Sequence, residues 1–255
     1  MKKTGISWKT KKMLSKSDLV FPDWPAPPNV KAIQTTRNGG FSSAPFNSFN
    51  LGAHVQDDAI VVARNRQLLS QYLPSEPVSL NQVHGVAVVD AGRCACVPDA
   101  DASFSHQKEV VCVTMTADCL PVLLCDKRGT VVAAVHAGWR SLCDGVIEAT
   151  VSKMQASSAD MMAWLGPAIG PQAFEVGGEV REAFIAKDGQ AEKAFLPSGD
   201  KWLGDLYLIA KQRLANLGVQ AVYGGGECTY RQPEKYFSFR RDGMTGRMAS
   251  LIWLS

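Results

Sequence analysis

Three apolar runs between residues 110 and 135 limit the fold more than any other part of this sequence. They are rich in Val, Leu and Cys and have the lengths of β-strands, so we expect buried sheet here. The predicted strands are Val110–Met115, Pro121–Cys125 and Thr130–Val135. Between the first two stands the segment Ala117-Asp118-Cys119, which places a carboxylate and a thiol in the middle of this sheet.

The rest of the chain adds further strands and several helices. Apolar residues at helical spacing predict helices at Ala59–Tyr72, Asp144–Gln155, Gly178–Ile185 and Trp202–Leu217. Further strands are predicted at Lys31–Arg37, Val78–Leu80, Val86–Val89, from Ala163 onward, and at Val219–Tyr223, Tyr236–Arg240 and Ala249–Trp253. Strands outnumber helices and often follow one another directly, which favours an α+β fold over a doubly wound one.

Composition excludes several classes of protein. The chain has 255 residues, 46% of them hydrophobic, with a formal net charge of +3 and no basic stretch interleaved with aromatics, so we expect no nucleic-acid partner. No apolar stretch reaches the ~20 residues that span a bilayer. Seven scattered cysteines indicate reduced thiols and a cytoplasmic protein. We expect a monomer with a mobile basic tail at residues 1–20 and a single catalytic domain at residues 21–255.

The four histidines suggest where chemistry occurs. His54, His84 and His136 each lie beside glycine or one residue from it, where a strand-like run ends. Two imidazoles and a thiolate, from His84, His136 and Cys119, make a reasonable zinc set with a fourth position left for water. Alternatively, Cys119 is a thiolate nucleophile that a histidine activates. Asp118 is a candidate for proton transfer or for orienting a histidine, and its simpler reading is a turn-former.

Arginines accumulate at glycine-rich turns. Arg37 lies in "TTRNGG", Arg140 follows "HAGW", and "FSFRRDGMTGR" adds Arg240, Arg241 and Arg247. The planar guanidinium suits phosphate or carboxylate, and glycine turns offer N–H groups to the same anion. The sequence therefore predicts an anionic co-substrate, for which Arg37, His54, Arg140 and Arg241 are the candidate phosphate- or substrate-binding residues.

Several motifs resemble those of the YfiH-type laccase-domain family, formerly described as multicopper polyphenol oxidases. They include "TTRNGGFS", "NQVHG", "TADCLPVLLCD", "AAVHAGWRS" and "FSFRRDGMTGRMASLIW", and the resemblance runs from about Phe21 to the C-terminus. It implies a single-domain, four-layer α/β/β/α sandwich, similar to cysteine-hydrolase-like toxins. It also implies that His84, Cys119 and His136 hold zinc.

The resemblance further implies a purine nucleoside phosphorylase that takes adenosine, inosine, guanosine, methylthioadenosine and phosphate, with adenosine deaminase activity. The alternative is a hydrolase that edits UDP-muramoyl-serine in peptidoglycan synthesis. Catalytic residues would be His84, Cys119, His136 and Asp118. A multicopper cluster needs more histidines than four, so copper-dependent polyphenol oxidation on a single copper ion is the lesser alternative. A non-catalytic metal protein is the third reading, although the trio lacks a fourth protein ligand.

Overall fold

The computed structural model describes residues 13–255, and the helices in that range are all too short or too polar to cross a membrane. Residues 1–12 of the predicted tail lie outside the described residues. The tail boundary predicted at residue 20 is too late, because Leu14 and Leu19 are each 5% exposed. Leu19 and Val20 also pair with the next strand, so the fold already includes them.

Strands and helices alternate irregularly along the chain. The strands are β1 Leu19–Val20, β2 Val30–Thr35, β3 Val88–Asp90, β4 Ala102–Ser105, β5 Cys112–Thr116, β6 Leu120–Asp126, β7 Val132–Ala137, β8 Met161–Leu165, β9 Glu175–Val176, β10 Phe195–Ser198, β11 Lys201–Gly204, β12 Ala221–Gly224 and β13 Met248–Leu254. The helices are α1 Ala59–Leu69, α2 Trp139–Asp144, α3 Val146–Met154, α4 Gly178–Lys187, α5 Leu206–Asn216 and α6 Phe239–Asp242.

Three sheets are formed by the described residues. The largest has six strands in the order β12-β8-β6-β7-β4-β3, the second has the order β1-β2-β13-β5, and the third is the small β10-β11-β9 sheet. In the largest sheet, β6 lies antiparallel between β7 and β8, and every residue of β6 and β7 is buried. The apolar runs that dominate the sequence therefore form the centre of the fold, as predicted.

The apolar cores define four layers. Leu68 and Leu69 of α1 pack on one face of the four-stranded sheet with Val113 and Leu251. A second cluster fills the space between the two large sheets and includes Leu123, Cys112, Ile252 and Trp164. The largest cluster joins the outer face of the six-stranded sheet to helices α2 to α5. This confirms the mixed α+β, single-domain fold, whereas the likeness to cysteine-hydrolase-like toxins stays a prediction.

Two helices begin later in the structure than the sequence predicts. The residues Trp202–Gly204 are strand β11, because they pair with β9 and β10, and α5 starts at Leu206 after the Asp205 cap. The helix predicted at Asp144–Gln155 is α3, which starts two residues later, because Asp144 is the last residue of α2 and Gly145, with a φ of 100°, separates the two helices. Helix α2, which begins directly after Gly138, was not predicted.

Two predicted strands are absent from the described chain. At Val78–Leu80, only an isolated bridge between Val78 and Cys112 forms. Of the predicted strand Tyr236–Arg240, the first two residues are a fully buried loop, and Ser238 then caps the short helix α6 through its side chain. An apolar pair that is buried without strand partners looks the same in a sequence as one within a sheet.

Candidate metal centre

Three side chains from separate parts of the chain meet at one end of the six-stranded sheet. Cys119 directly precedes β6, His136 is the penultimate residue of β7, and His84 lies in the loop before β3. Their candidate ligand atoms all lie within 4.8 Å of one another, with 3.7 Å between Cys119 Sγ and His84 Nε2. The three residues predicted as metal ligands are therefore brought together.

Asp101, just before β4, holds the two histidines in place. Its buried carboxylate accepts hydrogen bonds from the backbone N–H groups of Val83, His84 and Gly85, at 3.3, 3.0 and 2.6 Å. It also lies 2.8 Å from His136 Nδ1. These bonds stabilise a loop in which His84 has a φ of 61°, a conformation uncommon outside glycine.

A glycine lets the ligands approach each other. Gly138 separates β7 from α2, and a Cβ atom placed on it would lie 2.8 Å from His84 Cδ2 and 3.2 Å from Cys119 Sγ. A methyl group at this position would therefore push both side chains away. The "HAGW" segment thus supplies one ligand and the space needed by the other two.

The thiol of Cys119 and the imidazole of His136 each stabilise the charged form of the other. Burial alone raises the pKa of Cys119, but the charge of His136 and hydrogen bonds from His136 and His84 outweigh it and lower that pKa to about 6. Burial likewise lowers the pKa of His136, yet Cys119 and Asp101 raise it to about 9. In the absence of metal the two groups form a thiolate–imidazolium pair near neutral pH.

The donor set fits a zinc ion. Asp101 binds Nδ1 of His136, which leaves Nε2 of that ring for a metal, and carboxylates commonly orient metal-bound histidines in this way. Ligands of tetrahedral zinc lie roughly 3.5 Å apart, given its bond lengths to sulfur and nitrogen. The distance from Cys119 to His84 agrees with this value. Within residues 13–255, a fourth ligand of these types does not join the group.

The trio opens into a cavity of about 390 Å³. Six of its thirteen other lining residues are aromatic or cationic, namely His54, Trp139, Phe174, Phe239, Arg240 and Arg247. A volume of this size accommodates a small organic molecule beside the metal ligands. The cavity is therefore the candidate substrate site.

Asp118 lies in the cavity wall but is committed to other bonds. One carboxylate oxygen accepts from Thr229 Oγ1 and the other from the backbone N–H of Arg240, each at 2.6 Å. Its carbonyl accepts from the Ile169 N–H, and its φ is 98°. Asp118 thus connects the segment before β6 to two other loops, consistent with the turn-forming role also considered from sequence.

Of the four predicted phosphate- or substrate-binding residues, His54 lines the cavity and the three arginines do not. Arg37 donates to the carbonyls of Asn47 and Pro233 and stacks on Phe237. Arg241 donates to backbone carbonyls of residues 229, 230 and 236 and pairs with its neighbouring aspartate. Arg140 is exposed and stacks on the Trp139 ring.

Three residues of the site, Asp101, Arg240 and Arg247, are absent from the candidates that the sequence supplies. Asp101 follows "PDA" in a stretch that was not predicted as strand, so nothing marked its carboxylate as buried. Arg240 and Arg247 belong to the arginines of "FSFRRDGMTGR" and line the cavity, yet nothing in the sequence clearly distinguishes them from Arg241. Gly246, next to Arg247, offered only a weak signal, since glycine permits close packing around the loop that carries the guanidinium.

The fold and site define a mixed α+β protein with a two-histidine, one-cysteine metal-type centre at the end of its main sheet. Residues 31–255 match the model of a family described as multi-copper polyphenol oxidoreductase laccase. The chain belongs to this YfiH-type laccase-domain family, which confirms the resemblance seen in the sequence.

Named relatives and solved structures agree with this assignment. The chain is 55% identical to the purine nucleoside phosphorylase YfiH of Escherichia coli over 241 residues, covering 93% of this chain and 99% of the relative. It is 54% identical to a purine nucleoside phosphorylase of Pseudomonas aeruginosa over 235 residues, covering 91% and 97%. A crystal structure of a Neisseria meningitidis protein superposes with a TM-score of 0.91 at 50% identity, covering 93% and 99%.

Proposed function

We propose that this protein is a zinc-dependent purine nucleoside phosphorylase that acts on adenosine, inosine, guanosine and methylthioadenosine. Relatives more than half identical carry the name purine nucleoside phosphorylase, and they align over nearly their whole length. The observation that carries the proposal is the His84–Cys119–His136 group at the wall of a cavity large enough for a nucleoside. Adenosine deamination is proposed as a second activity of the same site.

We propose His84, Cys119 and His136 as the zinc ligands. When bound, zinc would supply a Lewis acid that polarises the substrate and activates water. In phosphorolysis the bond between C1′ and the purine nitrogen breaks, a bond from C1′ to a phosphate oxygen forms, and the purine gains a proton. In deamination, water replaces the amino group at purine C6 and ammonia leaves.

The chain's own residues bind and orient the reactants. Trp139, Phe174 and Phe239 give the cavity flat apolar surfaces, which suit a purine ring. Burial and the neighbouring charges of Arg247 and Arg66 lower the pKa of His54, so its ring is neutral near pH 7 and able to accept a proton. Proton transfer by Asp118 stays a prediction, because its hydrogen bonds support a positional role instead.

The proposal is tested with purified, zinc-loaded protein on adenosine, with and without phosphate. We expect adenine and ribose 1-phosphate only when phosphate is present, and inosine in either case. Cys119→Ala should lose zinc and both activities, whereas Cys96→Ala, which removes an exposed thiol outside the cavity, should keep them. Full zinc content and turnover in Cys119→Ala would contradict the proposed ligand set.

A second candidate is a hydrolase that cleaves the amide of UDP-muramoyl-serine. It is favoured by the order of Cys119, His136 and Asp101, in which the thiol lies within 4.8 Å of an imidazole nitrogen and the ring's Nδ1 bonds a buried carboxylate. Cysteine hydrolases use such a chain to generate a nucleophile. Release of serine from UDP-muramoyl-serine, together with no turnover of nucleosides by wild type, would select this candidate.

Copper chemistry is the lesser candidate, and the family's descriptive name is what favours it. Beyond the trio, His54 lines the cavity, whereas His106 follows β4 at the end away from Asp101. The site therefore suits one copper ion at most, bound by the same three ligands. A coloured protein with a visible charge-transfer band, and oxidation of a phenol, would favour copper over zinc.

We also propose that the protein acts in the cytoplasm. All seven cysteines are free, and Cys112, Cys125 and Cys143 are buried in the apolar core as thiols. Such a pattern is typical of a reducing compartment. Localisation of a fluorescent fusion of the full chain would test this, and an export to the periplasm would contradict it.

A further inference from the structure

Arg247 has a side chain that the fold holds firmly in the cavity wall. It directly precedes β13, where its backbone N–H donates to Asn50 Oδ1 at 2.9 Å and its carbonyl accepts from Leu51 N–H. The aliphatic stem packs on Gly52, since a Cβ atom there would lie 2.8 Å from Arg247 Cγ. Arg247 is therefore placed by its backbone and by its stem, before any ligand binds.

One edge of the guanidinium is fixed and the other is unused. Nη1 donates to the carbonyls of Thr245 and Gly246 at 3.0 and 3.1 Å, and the group lies 5.9 Å from the Phe239 ring centre. Among residues 13–255, Nε and Nη2 have no protein acceptor, and no carboxylate lies within ion-pair distance. Arg241, in contrast, bonds three carbonyls and Asp242.

Arg247 feels both burial and two nearby anionic groups, none of which bonds its guanidinium. It is partly buried, and burial, the largest cause, lowers its pKa, whereas the charges of Cys119 and Asp118 raise it. Arg240 lines the same cavity and donates to the Glu175 carbonyl, so it adds a second cation without a carboxylate partner. Asp118, the carboxylate of the cavity wall, already has both oxygens bonded. Arg240 is exposed, whereas Arg247 is partly buried. A partly buried cation with free donors is stabilised by an anionic ligand.

We propose that the free edge of Arg247, with Arg240 as second cation, is the phosphate-binding subsite of this cavity. Planar guanidinium groups bind two oxygens of a phosphate at once, which a lysine does not do. The subsite would take free phosphate, or the phosphate of a nucleotide-linked substrate. This inference rests on the proposed function for its substrate class, and it assigns phosphate to Arg247 in place of Arg37 and Arg241.

The test is phosphate binding measured by calorimetry on zinc-loaded protein without nucleoside. Arg247→Met keeps the stem that packs on Gly52 and removes the charge, and it should weaken phosphate binding at least about tenfold. Arg93→Met removes the same charge from a side chain that is 83% exposed and should leave binding unchanged. Unchanged affinity in folded Arg247→Met overturns the subsite.

Two further arms keep the outcome clear. In wild type, phosphate should protect Arg247 from modification by phenylglyoxal, as read by mass spectrometry, and equal labelling with and without phosphate overturns the proposal even if the variant does not fold. Repeating the calorimetry with uridine diphosphate separates the two phosphate sources. If Arg247→Met loses phosphate binding and the wild type shows no phosphorolysis, the subsite is supported and the phosphorylase is rejected. If the wild type shows phosphorolysis and Arg247→Met has the same phosphate requirement, the phosphorylase is supported and the subsite is rejected.

Discussion

Replacing Asp101 by asparagine is the sharpest test of how the metal centre is built. The carboxylate accepts four hydrogen bonds, three from the backbone of residues 83–85 and one from His136 Nδ1. Asparagine has nearly the same shape, but one of its two terminal atoms is an N–H donor. At least one of the four bonds is then replaced by two donors facing each other in a fully buried position.

The magnitude follows from these bonds. A hydrogen bond to a charged group contributes about 1.5–3 kcal/mol, and a donor left without a partner in the interior costs a further ~1–3 kcal/mol. We expect Asp101→Asn to lower the free energy of unfolding by about 3–5 kcal/mol. Loss of a carboxylate behind a metal-bound histidine typically weakens metal binding by about 10–100-fold, and we expect that range for zinc.

The assay is a zinc competition titration against a chromophoric chelator, with calorimetric melting alongside. Asp99→Asn is the matched control, because this exposed carboxylate lies two residues away and bonds the Asn81 side chain. The control should bind zinc as wild type does. If Asp101→Asn binds zinc with wild-type affinity and melts at the wild-type temperature, Asp101 does not organise the site.

Three further changes test separate parts of the structure. Gly138→Ala should reduce zinc stoichiometry well below that of wild type, because its methyl group would contact His84 and Cys119; full zinc content would contradict this. In metal-free protein, the thiolate absorbance of Cys119 should rise as the pH increases through about 6. His136→Asn removes a positive charge and should move the midpoint of this titration upward. An unmoved midpoint would show that His136 does not lower the pKa of Cys119. Asp58→Ala removes the cap of α1 and should cost ~1 kcal/mol in denaturant unfolding with zinc binding unchanged.

The central sheet could be predicted because its sequence signal is local. The apolar runs that became β5, β6 and β7 are bounded by a polar break and a glycine turn, and the structure keeps them within two residues of the predicted ends. The start of α5 could not be predicted from the sequence, because Trp202 and Leu203 fit a helical stripe as well as they fit a strand. Their pairing with Val176 and Glu175, far away in sequence, decided the outcome.

In the site, too, local features could be predicted from the sequence and long-range packing could not. The three ligand candidates were found because His84, Cys119 and His136 each stand at the end of an apolar run, which is a local feature. Which arginine faces the cavity is decided by loop packing. Arg37 and Arg247 both lie in glycine-rich turns, yet only the contacts of each guanidinium show that the first bonds backbone carbonyls on both sides. No local pattern reports this difference.

Asp101 explains why the ligand trio needs no short motif. Its backbone carbonyl accepts the N–H of His136 and its carboxylate binds the same residue's ring, so β4 and β7 are joined at the point where the ring must be oriented. The same carboxylate holds the backbone of His84 in a left-handed conformation. One buried group therefore couples the pairing of two strands to the geometry of two ligands. Disturbing the pairing of β4 and β7 at this end of the sheet should disturb the metal centre, and metal binding should in turn stabilise that pairing.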